Sequence, residues 1–199
     1  MAGYVIHLAV GEEYLRIHPG DINDYNKFIE GIIYPDSITD KSLTHYGPKS
    51  GQVNLKKFLN DRDIDDDFNK GYFVHLVTDY LFYNKFLDTF SKKYIYNDYD
   101  ILNKQLEERF NVKIPLKVKE NVYYTSGTTK ILNLNDTIEF IKNTAKYNLE
   151  DIKKAVLEGD KNWLEIRPLK KIWSKIIISI TNARRIKQLK SAISNYKCL

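Results

Sequence analysis

Residues 68–90 read FNKGYFVHLVTDYLFYNKFLDTF, and this stretch decides the fold class. Phe68, Tyr72, His75, Leu76, Asp79, Phe82, Tyr83 and Phe86 recur at steps of three and four. Those steps stack side chains on one face of an α-helix, so a helix is predicted from about Phe68 to about Phe90. Val74, Leu76, Val77 and Leu81 are apolar, so at least part of this helix is expected to be buried. An Asp at 79 in that setting needs a strong partner, because an unpaired buried carboxylate is costly.

Helical spacing continues on both sides. Val5, Leu8, Ala9, Tyr14 and Leu15 predict a first helix, ended by His18-Pro19-Gly20, where Pro19 biases His18 away from helical backbone. Asp24 is read as the cap of a short helix through Phe28 and Ile29, with Gly31 and then Pro35-Asp36 as breaks. Residues 37–52 carry Gly47, Pro48, Ser50 and Gly51 and read as loop; Leu55, Phe58 and Leu59 predict a brief helix. Ile101, Leu102, Leu106 and Phe110 predict another helix, with Asp98 or Asp100 as its cap. Residues 112–130 fit a small hairpin or an irregular loop, with Ser126-Gly127-Thr128 as a turn. Asn135 or Asp136 is read as capping a helix through Ile138, Ile141 and Ala145, and Leu149 to Leu157 predicts one closed by Gly159. A basic amphipathic helix is expected at about 169–195, with Ile172, Ile176, Ile180, Ala183, Ile186 and Leu189 on one face. The expected fold is all-α, a single compact multi-helix domain over residues 1–199.

Composition agrees with that class. Of 199 residues, 43% are apolar and 29% charged, a globular balance and not a disordered one. The net charge of +5 and the cluster Arg184, Arg185, Lys187 and Lys190 make nucleic acid or an anionic membrane surface a candidate partner of the C-terminal helix. The plainer reading packs its isoleucines on the domain and leaves its lysines in water. Cys198 is the only cysteine, so no intrachain disulfide forms. No basic leader opens the sequence and no run is long and apolar enough to be transmembrane, so a cytoplasmic location is expected. A phosphate-binding glycine loop and a Rossmann fingerprint are both absent.

The chemistry lies with the histidines. His75 and Asp79 are four apart on the predicted helix, so their side chains point the same way, one turn apart. His7 sits in an apolar helical run, Asp36 follows Pro35, and His45 lies in the Gly/Pro-rich loop. Each alone has an ordinary explanation: a half-buried histidine, a turn carboxylate, a surface imidazole. Together, three imidazoles and two carboxylates make a borderline ligand set that suits zinc-like ions better than oxygen-only cations.

Several stretches occur in an order that resembles the zinc-dependent phospholipase C family, in particular its small intracellular-type relatives. They are His7 in the first helix, Phe28-Ile-Glu-Gly-Ile-Ile-Tyr-Pro-Asp36, Lys41-Ser-Leu-Thr-His45-Tyr, and Gly71-Tyr-Phe-Val-His75-Leu-Val-Thr-Asp79-Tyr-Leu-Phe-Tyr83. The likeness covers about the first ninety residues, and Asn97 to Asn103 extends it. It implies an all-helical fold whose zinc ions hydrolyse a phosphodiester. It places His7 and Asp36 with one metal, and His45, His75 and Asp79 with another. It also makes Asp36 a candidate general base beside the attacking water. The family's later His-rich stretch has no counterpart, since no histidine follows His75. One or two zinc ions are therefore expected instead of three, with Asp98 or Asp100 as a possible replacement carboxylate.

The expected activity is metal-dependent hydrolysis of a phosphoester or phosphodiester, on a phosphate-containing small molecule or a lipid head group. Tyr46, Tyr72 and Tyr83 are candidate hydrogen-bond donors to substrate. The competing expectation is a non-catalytic helical scaffold or binding protein for an anionic partner, with a degenerate or structural metal site.

Overall fold

A computed structural model describes residues 2–87, 90–115 and 127–160. Seven α-helices run through them, and among the described residues there is no strand. They are α1 (Tyr4–Ile17), α2 (Tyr25–Ser37), α3 (Leu55–Asp61), α4 (Asp67–Leu81), α5 (Lys92–Phe110), α6 (Leu134–Ala145) and α7 (Leu149–Glu158). All lie within the unit Met1–Ile166. The expected C-terminal helix at 169–195 lies outside the described residues, as does most of the segment expected as hairpin or loop.

Local chemistry sets most helix starts. Asp24 accepts from the amide of Lys27, Asn54 from Lys57 and Asp66 from Asn69, which satisfies amides that have no partner inside the helix. Asn133, one turn before the expected caps, holds the amides of Asn135 and Asp136; Asn148 does the same for Glu150 and Asp151. Gly159 closes α7 in the left-handed region at φ +76°.

The core is built around α1 and α4. Residues 71–79 of α4 are all buried, so this helix is enclosed on every side and not amphipathic. Phe28 from α2, Phe58 from α3, and Phe73, Leu76 and Phe82 from the central stretch are fully enclosed around it. Helix α1 packs against α2, α4, α5 and α6.

Three readings of the sequence are corrected. Gly31 does not break α2: it lies inside the helix, which runs on to Ser37 with Pro35 in its last turn. The reason is a contact. A Cβ on Gly31 would lie 2.0 Å from the Phe68 carbonyl oxygen, and one on Gly71 would lie 2.0 Å from that of Phe28. The backbones of α2 and α4 therefore touch at two reciprocal glycines, closer than side chains at those positions would permit. The central helix also ends early, passing at Leu81 into a π-helical turn, Phe82–Phe86, closed by the Leu87 amide on the Phe82 carbonyl at 2.7 Å. Finally, Asp98 and Asp100 lie within α5 and do not cap it, because the helix begins at Lys92.

Candidate metal centre

Four segments bring the five expected residues to one place. His7 comes from the second turn of α1 and Asp36 from the last turn of α2. His45 follows a 3-10 turn, Lys41–Leu43, in the loop after α2. His75 and Asp79 sit one turn apart on α4. None of the five is more than 8% exposed.

The loop that delivers His45 is tightly fixed. Tyr46 holds a left-handed backbone at φ +56°, which costs a non-glycine residue about 1 kcal/mol or more. Its hydroxyl offsets that by donating to Asp61 Oδ2 at 2.8 Å and accepting from Arg62 Nε at 3.0 Å. At Gly47 a Cβ would meet the Gln52 carbonyl oxygen at 1.7 Å, so only glycine fits this return of the chain. The Tyr72 hydroxyl donates to the Thr44 carbonyl. Tyr46 and Tyr72 thus spend their hydroxyls on the fold, and the expectation that they serve substrate is corrected. Tyr83 lies beyond Asp79, and burial followed by the charges of Asp79 and Asp36 raises its pKa, so its phenol stays protonated.

The hydrogen-bond network fixes which imidazole nitrogens carry protons. His75 Nδ1 lies 2.8 Å from the Ile32 carbonyl oxygen, which only accepts, so Nδ1 holds the proton and Nε2 is bare. The Thr44 hydroxyl has one proton and gives it to the Pro35 carbonyl at 2.9 Å. It can therefore only accept from His45 Nδ1, at 3.1 Å, so in a neutral ring His45 Nε2 carries no proton. The two bare nitrogens face each other at 3.3 Å. With both rings neutral, two lone pairs at that separation repel unless a proton or a metal ion is shared between them.

Two carboxylates complete the cage. His45 Nε2 is 3.2 Å from Asp79 Oδ2 and 3.8 Å from Asp36 Oδ1. His75 Nε2 is 3.8 Å from Asp79 Oδ2 and 3.9 Å from Asp36 Oδ1. A tetrahedral zinc site with bonds of about 2.1 Å has ligand atoms about 3.4 Å apart, close to these separations. The other oxygen of Asp79, Oδ1, accepts the Ala2 amide at 2.8 Å and lies 3.4 Å from His7 Nε2. The His7 ring stacks on that of His75 at 3.7 Å, and neither of its nitrogens has a hydrogen-bond partner. Asp36 Oδ2 and Asp79 Oδ2 also lack hydrogen-bond donors, although both are buried, and outside the cluster Asp36 Oδ1 meets only the Lys41 ammonium, at 3.1 Å. Such orphaned atoms cost free energy unless an ion takes them up.

The electrostatics agree with ligand chemistry. Burial, followed by the neighbouring His7, holds His75 well below the usual imidazole range, so it is neutral. Burial pushes Asp79 up, but the imidazoles of His45, His7 and His75 around it outweigh that and hold its carboxyl well below the usual carboxylate range. Neutral imidazole and ionised carboxylate are the forms that bind metal.

Known families offer no guide here. No family model, curated protein or solved structure matches this chain. The groups whose ligand atoms lie within 4.8 Å of one another are His7, His75 and Asp79, and Asp36, His45 and His75. His7 thus pairs with Asp79 and not with Asp36.

Asp98 is no replacement ligand. It is fully buried and accepts the amides of Lys130, Ile131 and Leu132 at 2.8, 2.7 and 2.8 Å, so its carboxylate is spent on holding α5 to the segment before α6. Asp100 belongs to neither ligand group. Sequence reading missed three contributors: the Thr44 hydroxyl, the Ile32 carbonyl and Lys41. Only Thr44, directly before His45, had any local signal.

Proposed function

We propose that His7, Asp36, His45, His75 and Asp79 hold one or two zinc-like ions, and that the protein is a metal-dependent hydrolase of a phosphoester or phosphodiester. The observation that carries this reading is the buried pair of imidazole Nε2 atoms, 3.3 Å apart and flanked by the carboxylates of Asp36 and Asp79, each with one oxygen that has no hydrogen-bond or ion-pair partner outside the cluster. The residues divide the work. Asp36, His45 and His75 form one group that would hold an ion, and His7, His75 and Asp79 form a second. A bound ion of this kind supplies an acidified water and positive charge against phosphoryl oxygens. Asp36 is the candidate to take the proton of the attacking water, because its Oδ2 is buried and has no hydrogen-bond partner while, outside the cluster, only the Lys41 ammonium meets its Oδ1. The near-complete burial of the five side chains favours a second reading, a non-catalytic helical scaffold whose ion is structural.

Elemental analysis of gently purified, zinc-reloaded protein, with His75→Ala beside it, tests the metal. The expected result is one or two ions per chain and fewer in the variant. A folded wild type that takes up no zinc or manganese overturns the site. Hydrolysis of bis(p-nitrophenyl) phosphate, abolished by a chelator, separates the two readings: zinc-loaded protein inert on this and on a panel of phosphoesters is the scaffold.

A further inference from the structure

Among the described residues, one lysine touches the cluster. Lys41 Nζ lies 3.1 Å from Asp36 Oδ1 and donates to the backbone carbonyls of Asp36 at 2.8 Å and Pro35 at 3.3 Å. The Asp36 side chain is fully buried, whereas that of Lys41 is 21% exposed, so Lys41 reaches from the cluster towards solvent.

A lysine in this place opposes metal binding. It competes with an ion for the same carboxylate oxygen, and it would sit within a few ångströms of a divalent charge. Charge accounting sharpens the point. With the imidazoles neutral, one divalent ion balances the two carboxylates and leaves the charge of Lys41 in excess; two ions leave three positive charges. Excess positive charge in a largely dry site calls for an anion. Lys41 is the partly exposed member of this group, and an ammonium beside a metal is a strong partner for a phosphoryl oxygen.

We infer that Lys41 is the anion clamp of the metal site, releasing Asp36 to the ion and binding a phosphoryl oxyanion of the substrate in its place. This rests on the metal-site reading above. It makes a prediction that a tether to the carbonyls of Pro35 and Asp36 does not: removing the charge weakens anion binding without weakening metal binding.

Isothermal titration of wild type, Lys41→Met, Lys41→Gln and Lys41→Arg with zinc, then of each zinc-loaded protein with inorganic phosphate, tests the clamp. Lys41→Met is expected to bind zinc as tightly as wild type or several-fold tighter, and phosphate about tenfold more weakly. Lys41→Arg should recover most of the phosphate affinity. Lys41→Gln keeps an N–H donor for the carbonyls without the charge; it should behave as Lys41→Met and carries the comparison if that variant does not fold. Phosphate affinity unchanged in the neutral variants, or zinc and phosphate lost together, overturns the clamp, as does an arginine variant no better than methionine. Glycerophosphocholine in a parallel titration separates a lipid head group from free phosphate as the source of the oxyanion, and zinc-loaded wild type binding neither overturns the clamp. A wild type that takes up no zinc is a different result and sinks the metal reading itself.

Discussion

At the scale of single residues, the five side chains that cluster were singled out by the spacing of His75 and Asp79, by the settings of His7, Asp36 and His45, and by an order of motifs that resembles a known family. What supports them was not legible. The Ile32 carbonyl has no side-chain signature, and Thr44 is an ordinary loop residue until Pro35 and His45 are seen on either side of its hydroxyl. That hydroxyl sets the His45 tautomer, so Thr44→Val should weaken zinc binding by about 10–100-fold, the usual effect of losing a partner behind a ligand. Thr44→Ser keeps the hydroxyl and should bind nearly as wild type; competition against a calibrated chelator measures both. Another residue-scale prediction concerns acid. Burial pushes Asp21 up, but hydrogen bonds from Tyr14 and Lys70 outweigh it and lower its pKa. A folded-state pKa below the unfolded value contributes stability that is complete above about pH 4 and disappears as pH falls through the folded pKa. Asp21→Asn should therefore be less stable than wild type in urea at about pH 6, with the difference shrinking in more acidic solution. A gap that widens on acidification would reverse the sign and refute the assignment.

At the scale of elements, periodicity located the helices well and punctuation misled at their ends. Gly31 and Pro35 read as breaks because isolated rules about glycine and proline carry no knowledge of a partner helix. In α2 the glycine answers the backbone of α4, and the proline falls in the last turn. Asp98 misled for a related reason: an aspartate near an apolar run resembles a cap, yet its true partners are three amides 32–34 residues away. Asp98→Asn keeps one carbonyl acceptor and puts an N–H₂ group where amides point. It should destabilise the protein by about 3 kcal/mol, since each hydrogen bond to a charged group contributes about 1.5–3 kcal/mol. Urea unfolding with zinc present measures this, and a loss below about 1 kcal/mol would show that the amides find other partners.

At the scale of the molecule, the helical class followed from spacing, but the arrangement did not. Nothing local says that α1, which touches four other helices, lies beside α4, or that residues 7 and 79 meet. Those contacts arise from packing an enclosed helix, and only the assembled core reveals them. Because the cluster draws on α1, α2, α4 and the loop between α2 and α3, an ion there would tie most of the core together. Zinc at a thousandfold excess over its Kd should stabilise the fold by about 4 kcal/mol. The thermal midpoint should accordingly rise with zinc and fall with a chelator, and a midpoint indifferent to both would show that the ion, if bound, is not coupled to folding. No helix among the described residues is long and apolar enough to cross a membrane.

The reciprocal glycines of α2 and α4 have a consequence for mutational tolerance. The Ile32 carbonyl reaches His75 because the two backbones touch at Gly31 and Gly71, one residue before the carbonyl and one turn before the imidazole. Neither glycine has any chemistry of its own, and inside a helix each invites replacement by alanine, which ordinarily gains about 1 kcal/mol. In a saturation scan selecting for zinc retention, these two positions should be as depleted of substitutions as the five ligands, marking seven intolerant sites where side-chain chemistry alone would count five.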